Sequence, residues 1–346
     1  MPKVDVTVEI STKDRYYTTL PLTLLSIALQ THKPKRVIVF DDGEQKDLRE
    51  DPTYKNIFML YACKSIPIEV IFGERKGQVL NHQKAIQIAE TEWIWRVDDD
   101  DTPESNVLEL LVSHIADDVG GISGLILCPD GIAMPNPDAS GKIEDIFSKS
   151  HLQWHPFEGL KETDHFNNSF LFRKSAATHG YCMDLSPVGH REETLFTYGI
   201  KRNGYKLLVD PNAVIWHLRS STGGIRSYDQ AFFWDHDERL FQAKMKEWGV
   251  MSYPPKVVVL DCGMGDHYAF KMMLPELKKK YADREIILSV VYPEIFEDET
   301  GVKLISIAEA KKMPSVDMFK ENIYRFMIDQ KWQDGSLVDA FRKMHL

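Results

Sequence analysis

Four consecutive aspartates, Asp98 to Asp101, follow an apolar run and offer the clearest chemistry in the sequence. Two carboxylates separated by one residue at a strand end can hold an oxygen-preferring cation, Mg²⁺ or Mn²⁺, against a substrate diphosphate. Part of the run also fits a helix N-terminus, since Pro103 suits the first helical position and Glu104 favours the positive end of the helix dipole. We therefore expect Asp101 to Glu104 to begin a helix and Asp98 to Asp100 to be available for binding.

The aspartates follow the last of four short runs of β-branched or aromatic residues. These runs cover residues 4–10, 36–40, 68–72 and 93–97, with segments of helical periodicity between them. This alternation predicts a parallel sheet covered by helices, whose ligands bind outside the carboxyl ends of the strands. Polar residues follow each run, so one edge of the sheet is the predicted site.

The bulk composition predicts a folded, two-domain protein. A chain of 346 residues exceeds the usual size of one core, and the Pro254-Pro255 pair marks a boundary between domains at 1–250 and 256–346. The formal net charge of −10 argues against a large phosphate-binding surface. We expect a soluble, cytoplasmic protein that could still work at a membrane surface. The reasons are the charged N-terminus, the absence of a CxxC spacing and the lack of a long apolar run.

Five segments in order resemble the family 2 glycosyltransferases with the GT-A fold. They are VEISTKDR, VIVFDDG, GQVLNHQKAIQIAETEWIWRVDDDD, NNSFLFRKSA and HREETLFTYGIKRNGYKLLVDPNAVIWHLRSS, which together span residues 4–222. The resemblance implies a mixed, mostly parallel sheet flanked by helices. It also implies an inverting, metal-dependent transfer of a sugar from a nucleotide-diphosphate donor, with a UDP-sugar expected, to a hydroxyl acceptor.

The resemblance also implies positions for the metal and the donor. Asp100 would be the direct metal ligand and Asp98 would lie on the ribose side of the nucleotide, with a further role on the metal, and Asp99 lies between them. His217 would complete the metal site, which favours Mn²⁺ over Mg²⁺. The other candidate donor-binding residues are Thr12, Arg15, Asp41, Asp42, Arg75, Lys76, Arg219 and Ser221. The Asp41-Asp42 pair also fits an ordinary turn, and the Arg75-Lys76 pair also fits an exposed loop.

An acidic pair, Glu192-Glu193, opens a predicted helix that ends near Asn203-Gly204. In the resembling family a pair at this distance, usually Glu-Asp, supplies the general base from its second member. A base is needed because a hydroxyl is a poor nucleophile at neutral pH. Glu replaces Asp here, so the assignment stays open between Glu193 and Glu192, and two acids also suit a helix N-terminus.

Residues between the donor and base motifs fall where this family binds its acceptor. Trp154, Asn167 and Asn168 are the candidates, although Trp154 also fits a partly buried structural role. The acceptor class stays open among surface polysaccharide, lipid-linked glycan, protein, small metabolite and a hydroxylated base in phage DNA.

Residues 256–346 begin a second pattern of strand, glycine turn and helix. The turn, GMGDHY, lacks the third glycine of a dinucleotide-binding fingerprint and faintly resembles one half of a heptosyltransferase-type GT-B enzyme. We expect a small Rossmann-like accessory domain for docking, acceptor binding or homo-oligomer formation, with Met264, His267 and Tyr268 as a candidate contact surface.

Two other functions remain open at this point. A catalytically silent sugar-nucleotide or glycan-binding module would use the same pocket and would bind donor without turnover. A nucleotidyltransferase would need a glycine-rich triphosphate-binding loop, which the segment STKDRYYTTL does not provide.

Overall fold

A computed structural model describes residues 4–129, 131, 133–224, 230–250, 255–282, 284–313, 321–333 and 335–346. Pro254, part of the predicted domain boundary, lies outside the described residues. The chain divides into two compact units, Met1–Lys244 and Met245–Leu346. None of the described helices is long and apolar enough to cross a lipid bilayer.

Residues 4–250 contain the strands and α-helices of a mixed α/β fold. The strands, in chain order, are β1 (Val6–Thr12), β2 (Arg36–Asp41), β3 (Ile68–Phe72), β4 (Trp93–Arg96), β5 (Asp101–Pro103), β6 (Val119–Leu127), β7 (Lys161–Thr163), β8 (Phe170–Arg173) and β9 (Lys206–His217). The helices are α1 (Leu20–Ala28), α2 (Pro52–Cys63), α3 (Gln78–Ile88), α4 (Val107–Ser113), α5 (Glu192–Arg202) and α6 (Gln230–Glu247). The four predicted strands and the helix predicted from residue 192 are confirmed.

The strands form one mixed sheet in the order β3-β2-β1-β4-β8-β6-β9-β5, with β7 beside β9. The four strands β3, β2, β1 and β4 run parallel, and β8 runs antiparallel between β4 and β6. Alternating residues of β1, namely Val6, Val8 and Ile10, belong to the same buried core as Leu20 and Leu24 of α1. Burial of this apolar face holds the helix on the sheet.

Parallel strands bring their carboxyl ends to the same edge of the sheet. The antiparallel strand β8 begins at that edge. Arg96, the last residue of β4, pairs with Phe170, the first residue of β8. Just before Phe170, the Ser169 hydroxyl accepts a hydrogen bond from the Asp98 N–H at 3.0 Å. The aspartate run and the Asn167-Asn168 pair therefore lie side by side, although they are far apart in sequence.

The predicted helix start at Asp101 to Glu104 is wrong. Asp101–Pro103 form β5, whose backbone pairs antiparallel with β9, Asp101 opposite His217. The helix begins only at Val107. Pairing with a strand more than a hundred residues away therefore overrides the local capping pattern.

One glycine of the sheet is fixed by a close backbone approach. Gly124 lies where the register between β6 and β9 shifts, and a Cβ at this position would lie 1.8 Å from the Ala213 carbonyl oxygen. We predict that Gly124→Ala lowers the free energy of unfolding of the first unit by about 1–3 kcal/mol, because the backbone must move to relieve the overlap.

Urea unfolding checks this prediction, with Gly265→Ala as the control. A Cβ at Gly265, in a helix of the second unit, meets nothing within 4 Å. Alanine there should be neutral or stabilising by up to about 1 kcal/mol. Equal stability of the Gly124→Ala variant and the wild type would contradict the close approach.

The second unit is a small α/β fold. A parallel sheet runs in the order β10-β11-β12, formed by β10 (Lys256–Leu260), β11 (Ile286–Val290) and β12 (Lys303–Ile305). Its helices are α7 (Met264–Lys280), α8 (Ile307–Ala310), α9 (Ile323–Asp329) and α10 (Leu337–His345).

The contact surface predicted at the start of α7 needs one correction. Met264 and Tyr268 are exposed, whereas His267 is fully buried, and its Nε2 accepts the Val291 N–H at 3.3 Å. His267 is part of the unit's interior and cannot take part in docking.

Candidate active site

A cavity of about 410 Å³ lies at the edge of the sheet where the parallel strands end. It brings together candidates that the sequence distributes over more than two hundred residues. The predicted residues that line it are Thr12, Arg15, Asp42, Asp98, Asp99, Asp100, Trp154, Asn168, Glu193 and His217. The cavity is within the size range of small-ligand sites and has the required mixture of charged and aromatic walls.

Arg15 holds two of the aspartates on one wall of the cavity. Its guanidinium forms an ion pair with Asp99 and lies 2.9 Å from Oδ2 of Asp100. The Thr12 hydroxyl donates a hydrogen bond to Asp99 at 2.7 Å. Burial raises the pKa of Asp99, and the charge of Arg15 opposes that rise. Asp99 is thus held by two protein side chains, and Asp98 and Asp100 lie on either side of it in the chain.

The pairing of β5 with β9 creates a cluster of Asp100, Asp101 and His217. One ligand atom from each of these residues lies within 4.8 Å of the others. Nδ1 of His217 is 2.8 Å from Oδ1 of Asp101 and 3.6 Å from Oδ1 of Asp100. Burial alone would lower the pKa of His217, but the hydrogen bond to Asp101 and the neighbouring carboxylates raise it to about 9.

This cluster fits a divalent cation. Two carboxylates and an imidazole whose ligand atoms lie within 4.8 Å of one another suit Mn²⁺ once the imidazole has lost its proton. Asp98 lies outside this cluster, and its carboxylate is 2.9 Å from Nη2 of Arg96. Asp101 occupies the third position instead, and sequence reasoning missed it because nothing local reveals its pairing with β9.

A buried arginine links the aspartates to the candidate base, and sequence reasoning missed it. Nη2 of Arg96 is 2.6 Å from Oε1 of Glu192 and 3.6 Å from Oε1 of Glu193. Nε of Arg96 donates a hydrogen bond to His82 at 3.3 Å, and His82 in turn pairs with Glu9. The available signal was an arginine within the otherwise apolar run WIWRV, because a charge in a buried strand needs partners.

The two glutamates differ in their surroundings. The Glu192 side chain is fully buried, and burial raises its pKa against the opposing charge of Arg96. Neither Glu192 oxygen has an aligned hydrogen bond among the described residues, so its contact with Arg96 is an ion pair without hydrogen-bond geometry. The Glu193 side chain is 22% exposed and lines the cavity. Glu193 is therefore the carboxylate that can reach a substrate.

Asp41 is one of the predicted site residues that lie outside this cavity. Asp41 is fully buried, where it accepts hydrogen bonds from the Tyr16 hydroxyl at 2.7 Å and the Gly43 N–H at 2.8 Å. These contacts are the ones expected of a turn, which was the alternative to nucleotide binding for the Asp41-Asp42 pair. Four others, all exposed and outside the cavity lining, are Arg75, Lys76, Arg219 and Ser221. Lys76 pairs with Glu74 at 2.9 Å, as expected of an exposed loop.

A second cavity of about 280 Å³ adjoins the first through shared walls. Trp154, Asn168 and Glu193 line both cavities, while Asn167 lines only the second. All three residues predicted to bind the acceptor therefore lie at the second cavity, next to the candidate base.

Two histidines of the second cavity are packed against each other. The His151 and His165 rings lie 4.5 Å apart, and burial lowers the pKa of both, that of His165 to about 3. An unfolded chain takes up a proton at each histidine below about pH 6.5, whereas the folded protein does so at a lower pH, about 3 for His165. Their contribution to stability is thus fully present above about pH 6.5 and is lost as the pH falls towards 3.

We predict that His165→Gln weakens this acid sensitivity. The wild type should lose about 2 kcal/mol more free energy of unfolding than the variant between about pH 7.5 and about pH 5. Urea unfolding at both pH values measures the difference. His32→Gln, at the opposite edge of the sheet, is the control. Identical losses in the wild type and His165→Gln would show that His165 is protonated in the folded protein.

The comparisons with known proteins agree with this fold. Residues 7–177 match the family described as Glycosyl transferase family 2, a segment that includes the aspartate run and ends before Glu193 and His217. The search of curated proteins found no match to the sequence.

A solved glycosyltransferase structure shares the fold, and two others align with lower scores. Residues 1–349 of S. aureus TarS, in complex with UDP-GlcNAc, align with a TM-score of 0.51 at 16% identity, covering 78% of this chain and 72% of that one. GalNAc-T7 with UDP, GalNAc and Mn²⁺ has a TM-score of 0.48 at 16% identity, covering 81% and 55%. The mannosyltransferase PcManGT from Pyrobaculum calidifontis, with GDP-Man and Mn²⁺, has a TM-score of 0.47 at 17% identity, covering 72% and 65%.

The mixed sheet and the family match define the class of protein as a glycosyltransferase with a GT-A-like fold. More specifically, residues 7–177 form a domain of glycosyl transferase family 2.

Proposed function

We propose that the protein is an inverting, metal-dependent glycosyltransferase that moves a sugar from a nucleotide-diphosphate donor, with a UDP-sugar expected, to a hydroxyl acceptor. The observation that carries this proposal is the first cavity, in which Asp100 and His217 share the walls with Arg15 and Glu193. A cation site and a carboxylate base in one cavity are the two parts that such a transfer requires.

The donor-binding part of the proposal divides the lining of the first cavity between the nucleotide and the cation. Asp42, Thr12 and Arg15 would line the nucleotide pocket, with Asp98 on the ribose side. Asp100, Asp101 and His217 would hold Mn²⁺ or Mg²⁺, with Mn²⁺ favoured by the imidazole ligand. The cation, when bound, would offset the negative charge on the departing diphosphate.

The chemical step follows from the position of Glu193 between the two cavities. Glu193 removes the proton from the acceptor hydroxyl as that oxygen forms a bond to the anomeric carbon. The bond from this carbon to the diphosphate oxygen breaks, and its electron pair leaves with the diphosphate. A single displacement of this kind inverts the configuration of the anomeric carbon and needs no carboxylate nucleophile, which agrees with the complete burial of Glu192.

The acceptor belongs among the hydroxyl compounds named above: surface polysaccharide, lipid-linked glycan or a hydroxylated base in phage DNA. Exposed Met264 and Tyr268 would let the second unit form a homo-oligomer or bind a partner. Analytical ultracentrifugation of the wild type and of Tyr268→Ser tests the homo-oligomer, which a wild-type monomer would exclude.

Removal of Asp100 tests the proposed function through donor binding. We predict that Asp100→Ala lowers the affinity for UDP in the presence of Mn²⁺ by about a hundredfold, because a carboxylate ligand of the cation is lost. Titration calorimetry with and without Mn²⁺ measures this effect.

Asp117→Ala, which removes an exposed carboxylate outside the cavity lining, is the matched control and should bind like the wild type. UDP binding to Asp100→Ala with unchanged affinity and unchanged Mn²⁺ dependence would contradict the proposed site. The anomeric configuration of the product, read by proton NMR, tests inversion separately.

A further inference from the structure

The second cavity carries an excess of positively charged side chains, although the whole chain has a net charge of −10. Lys142, Lys149 and Arg191 line it, against the two acids Asp145 and Glu193. One of these acids, Glu193, is the candidate base, and the other forms an ion pair with Lys149 at 3.0 Å. Lys142 and Arg191 also have acidic neighbours outside the lining, Asp164 at 3.7 Å and Glu238 at 3.3 Å, so the positive excess belongs to the lining itself.

Arg191 is the best-positioned of these cations. It directly precedes the Glu192-Glu193 pair and has a left-handed backbone conformation, φ 68°, which is costly for a residue with a side chain. Its guanidinium carbon lies 5.3 Å from the ring centroid of Phe147 and 5.5 Å from that of Phe241. Its Nε also donates a hydrogen bond to Oε2 of Glu238 at 3.3 Å. The two rings and this ion pair hold the guanidinium in one position, which reduces the entropy lost on binding an anion.

A residue that lines this cavity also carries a buried hydrogen-bond donor without a protein partner among the described residues. His151 is 9% exposed, and its Nδ1 accepts the Gln153 N–H at 3.3 Å. A neutral imidazole that accepts at Nδ1 carries its proton on Nε2. That Nε2 has no hydrogen-bond partner among the described residues. A buried donor of this kind is costly unless a ligand oxygen satisfies it.

We propose that the second cavity binds the acceptor through an anionic group, a phosphate or a carboxylate. Arg191, Lys149 and Lys142 supply the positive charge, and Nε2 of His151 donates a hydrogen bond to an oxygen of the bound acceptor. The acceptor hydroxyl then reaches Glu193, which lines both cavities. This assignment rests on the proposed function, and it narrows the acceptor to hydroxyl compounds that carry a negative charge close to the reacting hydroxyl.

Equilibrium binding of three small probes tests the assignment. Methyl glucoside, its 6-phosphate and methyl glucuronide are titrated into the full chain saturated with UDP and Mn²⁺. The charged probes should bind about tenfold or more tightly than the neutral one, because charge-assisted hydrogen bonds are stronger than neutral ones. A preference for only one of the two charged probes identifies the anion that the cavity recognises.

Two variants test which residues produce the preference. Arg191→Gln and the exposed Lys149→Gln should each reduce the ratio of charged to neutral affinity several-fold. Lys35→Gln, a lysine at the opposite edge of the sheet that pairs with Asp5, should leave the ratio at its wild-type value.

The outcomes separate this inference from the proposed function. Failure of UDP, and of every other common nucleoside diphosphate tried in its place, to bind in the first step overturns the proposed function and this inference with it. UDP binding without a preference for either charged probe, or with a preference that survives in both Arg191→Gln and Lys149→Gln, overturns only the anionic acceptor.

Discussion

Glu193→Gln is expected to lower the rate of sugar transfer by about 10²- to 10⁴-fold, the contribution of a positioned general base. The amide keeps the shape of the side chain but cannot take a proton from the acceptor. UDP should still bind, since the cation cluster and Arg15 do not depend on Glu193. Release of nucleoside diphosphate, measured with acceptor present, gives the rate.

Two matched variants make this prediction specific. Glu192→Gln changes the neighbouring carboxylate, which is buried and has a raised pKa, so we expect less than about a tenfold loss of rate. Glu158→Gln replaces an exposed glutamate and should behave like the wild type. Full activity of Glu193→Gln together with a large loss in Glu192→Gln would reassign the base. Donor binding without turnover in the wild type would favour a silent binding module.

Arg96→Met is expected to lower the free energy of unfolding of the first unit by roughly 3–5 kcal/mol, the cost of leaving buried charges unpaired. The Arg96 side chain is 1% exposed and pairs with Asp98 and Glu192. Burial would lower the pKa of Arg96, but these acids raise it, so it is a permanent cation. Urea unfolding followed by tryptophan fluorescence measures the loss.

A neighbouring arginine and a double variant provide the controls. Arg173, in the adjacent strand β8, is partly exposed and stacks on Trp93, so Arg173→Met should cost about 1 kcal/mol or less. Adding Glu192→Leu to Arg96→Met should recover part of the loss, because it removes one buried acid. Equal stability of the Arg96→Met and Arg173→Met variants would contradict the role given to the buried ion pairs.

Local sequence patterns were sufficient to predict the four parallel strands of the sheet. The runs that became β1 to β4 are short, β-branched or aromatic, and separated by helical periodicity, so their identity and order were readable. The carboxyl-end rule then placed Thr12, Asp42 and the aspartate run at one edge. Asp100 and His217 came from the family resemblance, since no spacing in the sequence links them.

Long-range pairing decides the features that the sequence did not predict. Asp101 was assigned to a helix start because its local context fits a cap, but β9 pairs with it and brings His217 to its side. Arg96 and His82 have no motif of their own, and their importance arises from burial against Glu192 and Glu9. Such contacts depend on tertiary packing and leave no periodic signal in the chain.

Turnover of a panel of sugar nucleotides, with and without Mn²⁺, tests the central claim most directly. The account predicts that at least one donor, expected to be a UDP-sugar, releases its nucleoside diphosphate in the presence of Mn²⁺. It also predicts that a chelator, or the Asp100→Ala substitution, abolishes this release. The account is contradicted if no sugar nucleotide in the panel binds or turns over, or if turnover is unchanged after the cation is removed.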